Sequence, residues 1–288
     1  LTTISKCKKS AVTVWSGAGR SVRSIARRDR QPVSHAGTYA RTVELSKKRR
    51  ARCEEARGDQ KRFGCGHGKY NGGKRRANIR DEVMADNYVY MLDGKAYVNL
   101  TNKCCNACVF CIRNTGDGVK DTSLWLDREP TDVDEVWEQF EKLRYGSGEV
   151  VFCGFGEPTE RLELLKACAA KFKSAGYNTR LNTNGLGGLV NGHDIAGELA
   201  GVIDVASVSL NASDAIKYAQ VTRSAYGEAA FDAVAAFALD CKAHGIETVF
   251  TVVDTIGDDE IAACKRFCEK LDIPLRIREY IADNYNNQ

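Results

Sequence analysis

Short apolar or β-branched runs, bounded by Gly, Asn, Asp or Pro, recur over residues 84–288 and predict β-strands. Between these runs apolar residues return every three or four positions, which predicts amphipathic helices. The predicted strands cover residues 95–100, 149–152, 179–182, 205–210, 248–253 and 274–278.

The first clear helical pattern opens at Thr131, a candidate N-cap that is followed by acidic residues. It continues through Trp137 and Phe140 at helical spacing. Gly176 and Gly245 stand at typical C-cap positions after two later helices. The remaining predicted helices cover residues 160–175, 191–199, 227–244 and 258–271.

Strands that alternate with helices of this length favour parallel β-α-β units. Six such units fit an α/β fold built as an open, partial (β/α)6 barrel. In barrels of this kind function resides in the loops at the C-terminal ends of the strands. We therefore expect the reactive side chains directly after each predicted strand.

Charge divides the 288-residue chain into two unlike parts, although the net charge is only +4. Residues 1–83 hold 22 Lys and Arg against 7 Asp and Glu, whereas residues 84–288 hold 20 against 31. The basic part has little apolar periodicity, and low hydrophobicity with high net charge favours disorder. We therefore expect a disordered basic N-terminal extension over 1–83 and one core domain over 84–288.

Three interpretations of the basic extension remain open. Its Lys and Arg clusters are typical of a nucleic-acid-binding arm. Its Arg- and Ser-rich composition, poor in acids up to Arg52, is also typical of an organellar transit peptide. The third interpretation, which we favour, is an upstream segment that the working protein does not use. It rests on Met84 and Met91, the chain's only methionines, which stand where the globular pattern begins.

Cys104, Cys108 and Cys111 form a C-x3-C-x2-C run directly after the first predicted strand. Three thiolates at this spacing can bind three irons of a four-iron cluster and leave the fourth iron open. Core packing explains the run poorly, because polar Asn102 and Lys103 share its loop. A zinc site would need further Cys or His ligands. Disulfides are not expected, because the cysteine spacing is not typical of a disulfide framework and no secretory signal is visible.

With Phe110 before its last cysteine, the run resembles the C-x3-C-x-aromatic-C signature of the radical S-adenosylmethionine (radical SAM) superfamily. The resemblance implies a [4Fe-4S] cluster held by Cys104, Cys108 and Cys111, with the amino and carboxylate groups of SAM on its open iron. It also implies that the fold is a partial (β/α)6, TIM-like barrel of the radical SAM type. Cys105 is expected to be an extra thiol rather than a ligand.

The second predicted strand is followed by Gly154, Gly156 and Glu157. Two glycines one residue apart let the backbone approach a ligand closely. The segment resembles the Gly-Gly-Glu-type motif of the superfamily, which implies that these residues bind the amino group of SAM. An ordinary turn after a strand explains the same residues.

The third and fourth strand ends add Asn184, Ser209 and Asn211. The segment around Asn184 resembles the Asp-Thr-Asn-Gly of the activases of glycyl-radical enzymes, with Asn182 in place of the acid. Asn184 is the expected contact to cofactor or substrate, although Asn-Gly is also a common turn. Ser209 and Asn211 are expected on one side of the strand, because side chains alternate with period two. The resemblance implies that they contact the carboxylate or ribose of SAM, whereas Asn211 or Ser213 would also suit a helix cap.

The later strands and the last helix carry weaker signals. Arg278 or Tyr280, after the sixth predicted strand, is expected to face a substrate. Cys264 and Cys268 lie four positions apart on the last predicted helix, so they share a face, and we expect both to pack in the core.

Together these segments cover residues 88–288. They resemble the short radical SAM proteins associated with TatD-family nucleases, which share the Tyr-Val-Asn-Leu-Thr-Asn of residues 97–102 and the Gly-x-Gly-Glu-Pro-Thr of residues 154–159. The resemblance implies an enzyme that cleaves SAM reductively and generates a 5′-deoxyadenosyl radical, which abstracts hydrogen from an unknown substrate. It also implies an electron donor such as a flavodoxin or ferredoxin, and a functional link to a TatD-family nuclease.

The expected setting is the cytoplasm. No apolar run approaches the ~18–20 residues of a membrane span, and an oxygen-sensitive cluster with free thiols suits a reducing compartment. Nucleic-acid binding by the basic extension is left open.

Three alternative functions remain. An RNA-methylating radical SAM enzyme shares the motifs but needs a further cysteine near the C-terminus, and the acidic core would repel phosphates. A glycyl-radical activase is disfavoured by Asn182. A non-enzymatic nucleic-acid-binding protein with a structural metal leaves the Gly, Asn and Glu residues at the strand ends without a role.

Overall fold

The computed structural model describes residues 86–120, 122–146 and 148–280. Its strands, in chain order, are β1 (Val89–Leu92), β2 (Lys95–Val98), β3 (Gly118–Val119), β4 (Thr122–Ser123), β5 (Glu149–Phe152), β6 (Asn178–Thr183), β7 (Val205–Ser209), β8 (Glu247–Val253) and β9 (Leu275–Arg278). Seven of them form one sheet in the order β1-β2-β5-β6-β7-β8-β9, and β3 pairs with β4 in a separate hairpin.

The helices within the described residues are α1 (Val133–Lys142), α2 (Leu162–Ser174), α3 (Gly187–Asn191), α4 (Ala196–Leu199), α5 (Ala215–Thr222), α6 (Ala229–Ala243) and α7 (Asp258–Leu271). From β2 to β9 the strands of the large sheet are parallel, and each connection between them contains at least one helix. The expected α/β fold with a mostly parallel sheet is therefore confirmed.

The six predicted strands are all present, and their ends shift by at most two residues. The additional strand β1 pairs antiparallel with β2 through a turn at Asp93 and Gly94. Both turn residues have positive φ, 49° and 74°. An Asp-Gly pair between apolar runs is a strong hairpin signal that the sequence analysis did not use.

Two helix predictions were wrong in detail. Asp132, not Thr131, is the N-cap of α1, because its Oδ1 accepts from the backbone N–H groups of Asp134 (3.0 Å) and Glu135 (3.1 Å). The helix predicted over 191–199 is instead split between α3 and α4, because Gly192 adopts a left-handed φ of 79° that ends α3. Helix α5, which is eight residues long, has no counterpart among the predicted helices.

The two faces of the large sheet differ in chemistry because side chains alternate along each strand. One face packs against the helices through residues such as Leu181, Val208 and Phe250, all fully buried. The opposite face, called the inner face below, carries Tyr97, Cys153, Asn182, Ser207 and Arg278 by the same alternation. Near β1 and β2 it is covered by a second apolar cluster of Tyr90, Val119, Leu124 and Phe155.

Aromatic rings fill the core between α1, α2 and the sheet. Phe172 is 1% exposed, and its ring lies 4.8 Å from that of Phe140 and 5.5 Å from that of Trp137. The ring of Tyr177 also packs edge-on against Phe140, at 5.1 Å. Phe172 thus joins both helices to the strands that carry the candidate site.

No helix within the described part of the chain is both long and apolar enough to span a membrane. The predicted extension over 1–83, and the expected start at Met84, lie outside the described residues.

Replacing Phe172 by alanine is expected to lower the free energy of unfolding by about 3–5 kcal/mol, because a fully buried ring is lost and a cavity remains. Ile216→Ala is the matched control, since Ile216 is 60% exposed and its loss should cost less than about 0.5 kcal/mol. Denaturant unfolding of both full-length variants measures the difference. Equal stabilities would show that Phe172 does not organise this core.

Candidate functional site

The three motif cysteines lie in a loop that follows β2 and packs against the C-terminal end of α5. The backbone N–H groups of Ala107 and Val109 donate to the carbonyls of Thr222 and Val221, both at 2.9 Å. The last carbonyls of a helix have no partner inside the helix, so α5 supplies ready acceptors for this loop. A third backbone bond, from Ala225 N to Cys105 O at 2.9 Å, completes the attachment.

The cysteine side chains are all half-buried and none forms a disulfide. Burial raises the pKa of Cys104 to about 11 and that of Cys108 to about 12. The negative charge of Glu157 adds to the rise at Cys104, and Arg113 opposes it. Without a metal these two thiols are therefore protonated at neutral pH, and metal binding would release their protons.

Glu157 joins the cysteine loop, through its backbone, to the end of β6, through its buried carboxylate. It is 3% exposed. Its Oε1 accepts from Thr159 N (3.2 Å), Thr159 Oγ1 (2.8 Å) and Thr183 Oγ1 (2.7 Å), and its Oε2 accepts from Asn184 N (2.7 Å). Its own backbone N–H donates to Lys103 O at 2.7 Å. Burial raises the pKa of Glu157, and the four hydrogen bonds that it accepts offset part of this rise.

Asn184 extends this connection to the cysteine sulfurs. Its side-chain Nδ2 lies 3.3 Å from Cys105 Sγ and 3.8 Å from Cys104 Sγ. Its Oδ1 accepts from Leu186 N at 2.8 Å, which fixes the orientation of the amide. Asn184 therefore lies beside the motif, where the sequence analysis expected a polar contact.

The two glycines of the Gly-Phe-Gly segment have a reason within the protein itself. A Cβ on Gly154 would stand 2.0 Å from Asn99 Oδ1, and one on Gly156 would stand 2.2 Å from Thr101 O. The segment packs directly against the residues that lead into the cysteine loop, and a side chain at either position would push the two loops apart. This packing against protein is a role for the two glycines in addition to the ligand approach that the sequence predicts.

A cavity of 470 Å³ opens beside the cysteine loop, within the usual size range of small-molecule sites, about 300–1,000 Å³. Its lining includes Phe110 from the cysteine loop, Asn211 and Ile256 from the segments that follow β7 and β8, and Val221 and Tyr280. The cavity thus lies at the C-terminal edge of the sheet, where the sequence analysis placed the chemistry.

Asn211 reaches this cavity by a different route from the one expected. Strand β7 ends at Ser209, and Asn211 has a left-handed φ of 57°. The period-two argument that put Ser209 and Asn211 on one side of a strand was therefore wrong for Asn211. The expected caps were wrong as well, because Asp214 caps α5 by accepting from Lys217 N at 2.9 Å. Ser209 is half-buried at the end of β7.

Sequence reasoning missed several residues of the cavity. Lys217 and Glu260 line it and form an ion pair with each other, and Glu260 also accepts from Ser213 N at 2.7 Å. Both belong to helices, α5 and α7, so no strand-end signal marks them. Cys264 and Cys268, expected to pack, are 0% and 2% exposed in the core.

The donor set suits the iron–sulfur cluster that the sequence analysis expects. Three thiols stand on one loop, and each would bind a different iron. No group of three or more His, Cys, Asp or Glu side chains among the described residues is arranged to hold a single metal ion. Thiolates that bind separate irons have no need to converge on one ion. The loop lies against both the Asn184 amide and the cavity, so a second ligand would find polar and apolar walls next to the cluster.

Comparison with known proteins agrees with the motif. The sequence model of the Radical SAM superfamily matches residues 98–268, more than half of the chain. No curated protein sequence matches the chain.

Several solved structures resemble this one. SuiB of Streptococcus suis bound to S-adenosylmethionine is 17% identical over 64% of this chain and 40% of that chain, with a TM-score of 0.49. Native anSMEcpe with bound AdoMet is 16% identical over 64% of this chain and 50% of that chain, with a TM-score of 0.46. A radical SAM methyltransferase from Sphaerobacter thermophilus is 17% identical over 66% of this chain and 68% of that chain, with a TM-score of 0.45.

This chain spans half or less of the first two of these proteins. With TM-scores below 0.5, the likenesses assign no activity and no substrate to this chain.

Removing the Glu157 carboxylate is expected to destabilise the fold and loosen the cysteine loop. Glu157→Leu leaves four buried donors without an acceptor and should lower the free energy of unfolding by at least about 3 kcal/mol. Glu157→Gln keeps one acceptor oxygen and should lose about 1–3 kcal/mol. Denaturant unfolding measures both.

Glu269→Gln, at an exposed position of α7, is the control and should change the unfolding free energy by less than about 0.5 kcal/mol. A Glu157→Leu variant as stable as the wild type would show that this carboxylate does not hold the loops together.

Proposed function

The chain belongs to the radical SAM superfamily, and we propose that it cleaves S-adenosylmethionine reductively to start radical chemistry on a separate substrate. Membership implies a [4Fe-4S] cluster and SAM as cofactors. One observation carries the proposal: Val109 and Phe110, which lie between the second and third cysteines of the family's motif, line a cavity together with Asn211.

Cys104, Cys108 and Cys111 would hold the cluster. When bound and reduced, the cluster supplies the electron that splits the sulfonium of SAM into methionine and a 5′-deoxyadenosyl radical. The protein contributes binding, orientation and exclusion of side reactions. Its loop is held in place for that purpose by α5 and by Glu157.

The cavity lining combines apolar side chains and a hydrogen-bonding amide, as the binding of a nucleoside requires. Phe110 and Ile256 would flank the adenine with apolar surface, and the Asn211 amide would hydrogen-bond the ribose. Ser209 stands two residues before Asn211 and would add a hydroxyl for the ribose or carboxylate. Gly154 and Gly156 would serve indirectly, because they let the Glu157 loop pack against the cysteine loop.

Asn184 and Glu157 would take different parts in holding SAM. The Asn184 amide lies at the sulfurs of Cys104 and Cys105, so it would be placed to contact the cluster or the amino acid part of SAM. The Glu157 carboxylate is already surrounded by protein donors, so its main part would be to position Asn184.

We further propose membership of the short radical SAM proteins associated with TatD-family nucleases. The proposal rests on the shared segments at 97–102 and 154–159. In the structure the first segment is a scaffold: Thr101 Oγ1 donates to Glu129 Oε1 at 2.6 Å, and Asn102 Nδ2 donates to Leu126 O at 2.7 Å. An electron donor such as a flavodoxin or ferredoxin, and a cytoplasmic location, complete the proposal.

Cys108→Ala is expected to abolish cluster retention, because two thiolates cannot replace three. Full-length protein reconstituted with iron and sulfide without oxygen is assayed for iron, and then for 5′-deoxyadenosine after addition of SAM and dithionite. The wild type should hold about four irons in a cluster of this type and release 5′-deoxyadenosine.

Cys105→Ala is the matched control, since this neighbouring thiol is not expected to be a ligand, and its iron content should equal that of the wild type. Normal iron content and 5′-deoxyadenosine release in Cys108→Ala would overturn the assignment. A colourless wild type that takes up zinc instead would do the same.

Phe110→Ala is expected to weaken SAM binding to the reconstituted protein by about 2- to 12-fold, the equivalent of about 0.5–1.5 kcal/mol for a lost aromatic contact. Ile112→Ala, on the same loop but outside the cavity lining, should bind SAM as the wild type does. Anaerobic titration calorimetry measures both affinities. If Phe110→Ala and Ile112→Ala lose SAM affinity equally, the adenine does not bind against Phe110.

A further inference from the structure

The inner face of the sheet carries a polar row across three neighbouring strands. The register pairs Phe152 of β5 with Leu181 of β6, so Cys153 stands level with Asn182. Asn182 is paired in turn with Ser207 of β7. Residues level with one another in adjacent parallel strands point to the same face. Cys153, Asn182 and Ser207 therefore lie side by side.

Arg278 reaches this row from the far edge of the sheet. It lies on β9, level with Val253 of β8, yet its guanidinium NH2 donates to Ser207 Oγ on β7 at 3.2 Å. The side chain therefore lies across β8. A guanidinium has five N–H donors, and this bond uses one of them.

Buried polar atoms without a hydrogen-bond partner concentrate at the same place. Among the described residues there are four such side-chain atoms, and three of them, Arg180 NH1, Asn182 Oδ1 and Arg278 Nε, lie on the inner face of β6 and β9. The fourth, Asn99 Oδ1, belongs to the loop that packs against Gly154. Buried polar groups are nearly always paired in native proteins, and each exception calls for an explanation, such as strain, a catalytic role or a bound molecule.

Among the described residues, no acidic side chain of this face pairs with Arg278. Glu149 binds both Lys95 (2.8 Å) and Arg180 (2.7 Å), so Arg180 has an acidic partner, which it shares with Lys95. Arg278 forms no ion pair within the described residues. Burial raises the pKa of Cys153, and a hydrogen bond with Asn182 and the charge of Arg278 each offset part of this rise.

The polar row lies next to the cysteine loop. Asn184 is two residues beyond Asn182 along the same strand direction, a rise of about 6–7 Å, and its amide contacts the sulfurs of Cys104 and Cys105. A molecule bound over Asn182 and Arg278 would therefore stand beside the proposed cluster, on the inner side of the sheet.

We propose that the inner face binds the substrate and that Arg278 recognises an anionic group on it, a carboxylate or a phosphate, beside Asn182. The identification of the bound molecule as the substrate rests on the proposed function. Arginine suits this part because its fork binds two oxygens of an oxyanion at once. The anion would supply the acceptor that Arg278 Nε lacks, and a hydroxyl or amine nearby would supply the donor that Asn182 Oδ1 lacks.

The test uses succinate as the anionic probe and succinamide as its neutral counterpart. Binding to the full-length reconstituted protein is followed by ligand-detected NMR in the presence of SAM. The wild type should bind succinate and not succinamide. Arg278→Gln should weaken succinate binding about tenfold or more, because a charge-assisted bidentate contact is lost. Arg266→Gln, an exposed arginine on α7, should leave succinate binding unchanged.

Arg278→Lys separates charge from geometry, and thermal unfolding of each variant checks the fold. Lysine keeps the charge but not the fork, so its succinate affinity should fall between those of the wild type and Arg278→Gln. Equal succinate binding by the wild type and a folded Arg278→Gln variant, or equal binding of succinamide, would overturn the proposal. Inorganic phosphate is titrated in parallel to show whether the site prefers a carboxylate.

The SAM affinity and the 5′-deoxyadenosine release of the same preparations separate this proposal from the proposed function. If Arg278→Gln loses SAM affinity as far as succinate affinity, Arg278 holds the cofactor and the substrate proposal is wrong. If the wild type releases no 5′-deoxyadenosine yet binds succinate through Arg278, the proposed function fails and the anion site stands. If it releases 5′-deoxyadenosine but shows no Arg278-dependent binding, only the anion site fails.

Discussion

The buried carboxylate of Glu157 holds the candidate site together. Burying an isolated carboxylate is unfavourable, and only hydrogen bonds that reach it from the protein make the position tolerable. Here four donors surround it, from Thr159, Thr183 and the Asn184 backbone. Each hydrogen bond to a charged group contributes about 1.5–3 kcal/mol, enough together to oppose the desolvation that raises its pKa. Because two of these donors lie at the end of β6 and the backbone N–H of Glu157 bonds Lys103 O, satisfying the carboxylate also ties the end of β6 to the cysteine loop.

The second support of the site is the end of α5. A helix leaves its last carbonyls unpaired, and the cysteine loop satisfies two of them with backbone N–H groups. Such bonds do not depend on side-chain identity, so the loop can keep its path while its side chains serve the chemistry. The same helix lines the cavity with Val221 and Lys217. One element thus positions both the cysteine loop and the wall of the adjoining cavity.

Much of the fold could be predicted from the sequence because short β-branched runs and helical periodicity dominate residues 95–278. The misses have local causes. Asp93-Gly94 closes a hairpin, Gly192 ends a helix with a positive φ, and Asn211 leaves its strand in a left-handed conformation. The expectation that functional side chains follow the C-terminal ends of parallel strands correctly put Asn184 beside the cysteines, because it depends only on where each strand ends along the chain. It could not show that Gly154 and Gly156 also make room for Asn99 and Thr101, nor that Arg278 crosses β8, because both depend on packing between distant segments.

The polarity of the inner face is not imposed by the fold. Over β1 and β2 the same face is filled by Tyr90, Val119, Leu124 and Phe155, so this chain does supply apolar cover where stability alone decides. Over β6 and β9 it instead keeps Asn182 and Arg278, each with a buried atom that lacks a partner. Apolar side chains at these positions would remove unpaired buried groups and would stabilise the sheet. The unpaired polar atoms of Asn182 and Arg278 therefore lower the stability of the fold at one end of this face, next to the cysteine loop. Binding a polar molecule there requires such polar groups.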